Sequence, residues 1–312
     1  MGRQGGVPRV LGTRGASSVR TWPVVALTGA LAAFWAPTAG AAADELSIRA
    51  SADATWDDNV PRAITSEKLS DAFATLSVGA TLPLDINPHT RIVFTATLGA
   101  QAFDKYTGLN HGFGTLKGEL QYRSSGRYTA PIWAIFFSQN ADSYVNSDLR
   151  DGYRASAGVS VRKPVTDRIS LFGALAYNQG DARSTVFDTK DVSLRGNVDY
   201  ALAPRHTVYL GLEYRQGDSV STGLPSLAFL DIAQAVVADD VFTSPQRFDY
   251  RFQARTGLLT LGYNFAIANR QSLDISYRGV YARPIDQPSS SVSTSTIYYV
   301  DNQITVSYLI KF

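Results

Sequence analysis

The sequence predicts an all-β chain folded as a transmembrane antiparallel up-and-down β-barrel of about 12 strands. Three observations predict it. The chain breaks into segments of about 10–14 residues in which apolar and polar side chains alternate, the length a tilted strand needs to cross a membrane. The gaps between those segments alternate short and long along the chain, as turns and loops on opposite membrane faces would. The final segment puts Ile304, Val306, Tyr308, Ile310 and Phe312 on one face and Thr305, Ser307 and Lys311 on the other, because successive strand side chains point to opposite sides. One face suits lipid and the other suits water.

Residues 1–43 read as a secretory signal peptide. Arg3, Arg9, Arg14 and Arg20 precede an apolar run from Trp22 to Trp35, and small residues lead to a cleavage site after Ala43. The run is about fourteen residues, short of the roughly twenty a spanning helix needs. Residues 44–312 then form the barrel domain. The chain has 29 Lys+Arg and 27 Asp+Glu; without the four signal arginines the balance is 25 against 27, a charge of −2, so no nucleic-acid partner is indicated. There are no cysteines, which excludes disulfide scaffolds, thiolate metal sites and a lipid-modified N-terminal cysteine. With 16 Tyr, 15 Phe, 25 Gly and one Met, the composition is that of sheet rather than helix bundle.

The predicted strands span residues 46–56, 72–84, 91–103, 114–123, 132–140, 153–162, 168–178, 192–202, 207–215, 248–265, 273–282 and 298–312. Tight gaps follow the even-numbered strands, at 85–89, 124–127, 163–167, 203–206 and 268–270, punctuated by Pro, Gly, Asn and Asp. Longer, more polar gaps follow the odd ones, at 57–71, 179–191, 216–247 and 283–296. An even count closes the sheet and removes the unpaired edge that hydrocarbon forbids. The fifth strand, with Ile132, Trp133, Ile135, Phe136 and Phe137, is apolar on both faces and must pack against something in the lumen or at a subunit contact. The tenth changes phase near Gly257, from Tyr250, Phe252 and Ala254 to Leu259, Leu261, Tyr263 and Phe265, which predicts a bulge at the glycine.

The last strand resembles the C-terminal insertion signal of Gram-negative outer-membrane β-barrel proteins, in which a final aromatic residue and apolar residues two and four before it are read by the barrel-assembly machinery. The resemblance implies that Tyr308, Ile310 and Phe312 are the assembly signal. It also implies the cell outer membrane as location after signal cleavage, with outer-membrane lipid, lipopolysaccharide and the assembly machinery as partners. The Trp56-Asp57-Asp58-Asn59-Val60 stretch is similar to an opening seen in uncharacterised proteobacterial barrels and in the barrel part of surface-lipoprotein assembly modifiers. The helical-repeat domain of those modifiers has no counterpart here.

Taking the polar alternate as luminal, the pore-lining set is Arg49, Lys117, Glu119, Arg154, Arg195, Asp199, Glu213, Arg215, Arg251, Arg255, Asp274 and Arg278, within a wider inward set of about twelve basic to seven acidic residues. A net-positive lumen in a low-dielectric wall favours anions. The same residues could instead brace the interior as Arg–Asp and Arg–Glu pairs. In the longest loop a helix starting at Ser226 as N-cap would place Phe229, Ile232, Ala233 and Val236 on one face, with Phe229, Ile232 and Val236 as a constriction that folds into the mouth or lies on the rim. Asp57, Asp58 and Asn59 offer three oxygen ligands, too few for calcium without partners, and read as a solvated turn. No metal or cofactor is expected. His89 and His206 fall in turns and His111 in a loop, none beside a serine motif, so no enzyme is expected. The reading is a passive, mildly anion-preferring channel for small solutes, with a non-conducting surface or secretion component binding polysaccharide, lipoprotein or another barrel as the alternative.

Overall fold

A computed structural model describes residues 46–292 and 297–312; the signal-peptide reading of residues 1–43 lies outside the described residues. The strands are β1 (Ser47–Asp57), β2 (Asp71–Asn87), β3 (Thr90–Phe103), β4 (His111–Arg123), β5 (Ile132–Tyr144), β6 (Gly152–Pro164), β7 (Ile169–Ala182), β8 (Lys190–Ala203), β9 (His206–Gly223), β10 (Ala235–Thr243), β11 (Gln246–Ala268), β12 (Gln271–Pro284) and β13 (Tyr299–Lys311). One short helix, α1 (Leu227–Ile232), lies between β9 and β10.

Twelve strands close a barrel. Neighbours in sequence pair antiparallel from β1 to β9 and from β11 to β13. The ring is completed by β1 on β13, from Arg49↔Lys311 to Asp57↔Gln303, and by β9 on β11, from Gly223↔Phe248 to His206↔Phe265. These twelve correspond one to one with the predicted strands. The thirteenth, β10, pairs only with the upper edge of β11 and stands outside the ring.

The alternation places apolar side chains outward as an exposed belt, with Leu76, Leu120, Ile135, Leu194, Leu212 and Ile304 all between 41 and 64 % exposed. Exposure of this kind is favourable only against lipid. Aromatic residues flank the belt, Tyr122 and Trp133 paired near the short turns and Trp56, Tyr214 and Tyr281 toward the long loops. Inward positions carry polar rungs, among them Ser51 with Ser77 and Thr55 with Thr305, both at 2.9 Å.

The inner face of the fifth predicted strand packs in the lumen. Trp133, Ile135 and Phe137 face outward, while Phe136 turns inward against Ala174, Ala176 and Phe172, with the Lys117 ammonium 5.3 Å from its ring centre. Gly158 makes room for that ring, since a Cβ there would lie 2.8 Å from it. The predicted bulge at Gly257 does not form. Pairing of β11 with both β9 and β12 runs through Gly257 without a register shift. Tyr250, Phe252 and Ala254 keep the inward parity of Leu258; Ala254 still borders the cavity at the last β12 pair, whereas Tyr250 and Phe252 rise above the end of β12, where that face is covered by loops. The apolar stripe changes side because its surroundings change.

A charged residue in the belt tests the lipid assignment. Leu212→Arg should cost about 2–4 kcal/mol of folding stability in lipid vesicles. Urea unfolding followed by Trp fluorescence measures it; an unchanged midpoint would show that Leu212 does not border lipid.

Candidate functional site

The β9–β11 ribbon outgrows its neighbours. Above the last β12 pair, Ala254↔Pro284, residues 246–253 of β11 continue with β9 on one edge and acquire β10 on the other, from Ala235↔Arg251 to Ala238↔Phe248. This extension forms a strap. One face holds Tyr250 and Phe252, stacked and packed on Phe229 of α1 together with Ile64 and Ile297 from the first and last loops. Val220, Thr222 and Phe242 of the strap region line the interior cavity, so the strap roofs it.

The predicted helix ends before Val236. Ala233 is already extended, at φ −76° and ψ 134°, and Ser226 makes no side-chain cap bond. Phe229 is buried and Ile232 packs beside it, whereas Val236 joins β10 opposite Tyr250 and is 38 % exposed. The open edge of β11 offers Val236 and Val237 a ladder, which suits β-branched residues better than a helix does.

Beneath the strap, three loops repeat one device that the sequence reading missed. Each makes a 3₁₀ turn, at Thr107–Leu109, Asp148–Arg150 and Thr185–Phe187, and follows it with Asn110, Asp151 or Asp188. The side chain of that residue accepts from the last backbone N–H groups of the rising strand, those of Phe103, Tyr144 and Ala182, at 2.7, 2.7 and 2.8 Å. The shared six- or seven-residue offset was the available signal. The strap rests on this shelf: Tyr106 meets Phe242 at 4.8 Å between ring centres, and Arg251 donates to the carbonyls of Thr185 and Asp188.

Arg150 clamps the strap to the shelf. Its guanidinium, 9 % exposed, donates to Asp239, to Asp240 at 2.8 Å and toward Asp249 at 3.5 Å, and lies 4.8 Å over the ring of Phe187. Asp239 also accepts from the N–H groups of Val241 and Phe242, and Asp249 accepts from the Thr222 hydroxyl at 2.5 Å. Burial pushes the Asp249 carboxyl up to about 8, with Arg150 opposing the shift and Asp239 adding to it. Against its own burial, Arg150 and the N–H of Phe242 hold Asp239 below the usual carboxylate range.

Under the roof lies a cavity of about 770 Å³. Of the predicted pore-lining residues, Lys117, Arg154, Arg195, Glu213, Arg215 and Arg278 border it. Glu119 pairs with Lys117 at 2.9 Å, while Asp199 and Asp274, lower on the inward face, accept from Asn197 at 2.6 Å and Tyr209 at 2.8 Å. Arg49 lines a second cavity of about 590 Å³ at the short-turn end, with Arg270 and Lys311 and no carboxylate. Arg251 and Arg255 depart from the expectation. Without the bulge, both sit on the outward parity of β11, Arg255 exposed at the rim and Arg251 turned onto the shelf.

The cavity lining is balanced rather than basic. Arg62, Lys117, Arg150, Arg154, Arg195, Arg215 and Arg278 make seven cations, and Asp57, Asp142, Asp181, Asp191, Glu213, Asp218 and Asp301 make seven carboxylates. Asp142, Asp181 and Asp218, assigned to loops by sequence, belong to long strands whose upper ends turn into the mouth. Neutral amides hold many of these carboxylates: Asn140 donates to Asp142 at 2.6 Å, Asn178 to Asp191 at 2.7 Å, and Gln303 to Asp57 and Asp301 at 2.9 and 3.1 Å. Arg62, Arg154, Arg195 and Arg278 form no ion pair among the described residues.

The Asp57-Asp58-Asn59 segment is not a solvated turn. Asn59 is fully buried and donates to the carbonyls of Ala63 and Val300 at 2.8 and 2.9 Å, tying the first loop to the last strand. Asp57, Asp58 and Asp301 bring one carboxylate oxygen each within 4.8 Å of one another, close enough for a cation. Asp58, however, already accepts from Lys68 at 2.7 Å and Asn302 at 2.8 Å. His111, predicted in a loop, opens β4 and borders the cavity with its Nδ1 on the Leu109 carbonyl at 2.9 Å. His89 and His206 bond the Arg123 carbonyl and the Tyr263 hydroxyl. Among the described residues none of the three meets a serine or carboxylate.

No family model matches the chain, and no curated protein matches it either. Among solved structures it is similar to an outer membrane channel from Pseudomonas putida F1, at 11 % identity and a TM-score of 0.51 over 89 % of this chain and 97 % of that one. A KdgM porin is 14 % identical at a TM-score of 0.41, over 84 % of this chain and 99 % of the porin. The first likeness shows the fold, that of outer-membrane β-barrels.

The clamp makes the strap pH-sensitive. Because the folded Asp249 value lies above the ordinary 3.8, its contribution is full below that value and is lost as pH rises through about 8. Corrected amide exchange across residues 235–243 should therefore be faster at pH 9 than at pH 6, with Asp249→Asn removing the difference. Arg150→Met should raise exchange at both pH values by roughly a hundredfold, the equivalent of about 3 kcal/mol for an uncompensated buried cluster. Exchange independent of pH would refute the coupling.

Proposed function

We propose that the protein is an outer-membrane barrel acting as a passive, mildly anion-preferring channel for small solutes, without enzymatic activity. One observation carries the preference: the cavity's carboxylates are largely held by neutral amides, while the guanidiniums of Arg62, Arg154, Arg195 and Arg278 make no ion pair among the described residues. Equal numbers of charges cancel the far field, but a passing anion meets open, forked donors and a passing cation meets carboxylates already hydrogen-bonded. The basic cavity at the short-turn end, with Arg49, Arg270 and Lys311, favours anions in the same sense. The likeness in fold to an outer membrane channel is consistent with this reading.

The strap favours the alternative, a non-conducting surface or secretion component, because it roofs the cavity and its clamp is buried. Planar-bilayer recording on purified protein separates the two. A channel should conduct, its reversal potential in a KCl gradient should lie on the anion side, and Arg154→Gln with Arg195→Gln should shift it toward cations, less so at high salt where screening shortens to about 3 Å. Folded protein that never conducts, even with residues 227–243 deleted, would rule out the channel.

A further inference from the structure

Arg62 stands apart from every other charged residue of the mouth. Its backbone φ is 53°, the left-handed region, and among the described residues no other non-glycine occupies it. Glycine or asparagine would sit there with less strain, so the position retains a long side chain against its own backbone preference. The loop around it is fixed at several points. The Arg62 N–H donates to the Asn59 carbonyl at 2.8 Å, the Ala63 N–H to the Asn59 side chain at 2.9 Å, and the Ser221 hydroxyl to the Arg62 carbonyl at 2.7 Å. Arg62 so placed is exposed and lines the cavity, and its guanidinium makes no ion pair or hydrogen bond among the described residues. A backbone tied on both sides thus presents to the cavity a guanidinium whose donors have no partner among the described residues, an arrangement suited to a ligand.

Arg278, on β12, lines the same cavity and likewise makes no ion pair among the described residues. The nearby carboxylates are already engaged in part: Glu213 accepts from Arg215 at 2.6 Å, and Gln303 donates to Asp57 and Asp301 at 2.9 and 3.1 Å, while Asp57 and Asp301 also act on Arg62. Two guanidiniums that line one cavity with no ion pair among the described residues keep their forked donors for an oxyanion, which would receive charge-assisted hydrogen bonds.

We infer that Arg62 and Arg278 form an oxyanion-binding station at the outer end of the lumen, which takes the carboxylate or phosphate group of a small anionic solute. The inference deepens the channel reading and rests on it for its physiological meaning, though the site can be tested without conduction. Isothermal titration of inorganic phosphate into the detergent-folded barrel should show saturable binding, with Kd raised at least tenfold in both R62Q and R278Q and less in R62K, which keeps the charge but loses the fork. Glucose should not bind. Heat-modifiable mobility checks that each variant folds. In bilayers phosphate should interrupt the wild-type current, and R62Q should relieve that block. Phosphate binding absent from the wild type, or unchanged from the wild type in R62Q or R278Q, overturns the station; binding as expected in a barrel that never conducts leaves the station standing and overturns the channel.

Discussion

Closure of the hydrogen-bond ladder is the constraint on which the rest depends. A backbone N–H or C=O left unpaired in hydrocarbon costs several kcal/mol, so the chain must bring β1 onto β13 and β9 onto β11. The second seam is the long one, running from Phe248 to Phe265 on β11, and it continues after β12 has ended at Pro284. That leaves the upper edge of β11 without its neighbour. The chain between β9 and β11 supplies the missing partner as β10, and in doing so crosses the mouth. The roof over the cavity thus also arises from the pairing of an open strand edge.

Inside, period-two geometry decides how charge is held. Residues two apart on a strand face the same way, and the interior uses this repeatedly: Asn140 with Asp142, Asn197 with Asp199, Lys117 with Glu119, Arg215 with Glu213 and Gln303 with Asp301. Each of these carboxylates is held along its own strand. An interior braced by arginines reaching across to acids would fill the centre, whereas bracing along the strand leaves it to water. The consequence is a cavity in which cations and carboxylates are equal in number but unequal in what they still offer to a solute.

Alternation along the chain made the strands, the closing seam and most inward residues legible, because it is local and repeats in every strand. It reports which side a residue is on but not how high it stands relative to the membrane boundary. For that reason Tyr250, Phe252 and Ala254 suggested a lipid face, and with it a bulge at Gly257 and inward positions for Arg251 and Arg255. The helix running to Val236 failed similarly, since the β11 edge that captures it is a tertiary feature. Asn59 bonds Val300, 241 residues away, so no local pattern could have shown that the Asp57-Asp58-Asn59 segment is a buried tie to the last strand rather than a solvated turn. The three shelf loops are different. Their Asn or Asp at a fixed distance after the strand end was present in the sequence, and became meaningful only once three hydrogen bonds matched.

The strap and Arg62 are held by the same bonds. Ser221 and Thr222 belong to β9 at the point where it becomes the strap, and they bond the carbonyls of Arg62 and Pro61 at 2.7 and 2.9 Å. Thr222 also reaches Asp249 in the Arg150 clamp. The left-handed conformation of Arg62 is therefore maintained from one side by the buried Asn59 and from the other by the strap itself. A strained residue relaxes when the contacts that over-determine it are removed. Access to the lumen and the placement of its outermost guanidinium consequently depend on one structural element, which is in turn anchored by a carboxylate cluster that a single arginine neutralises in part.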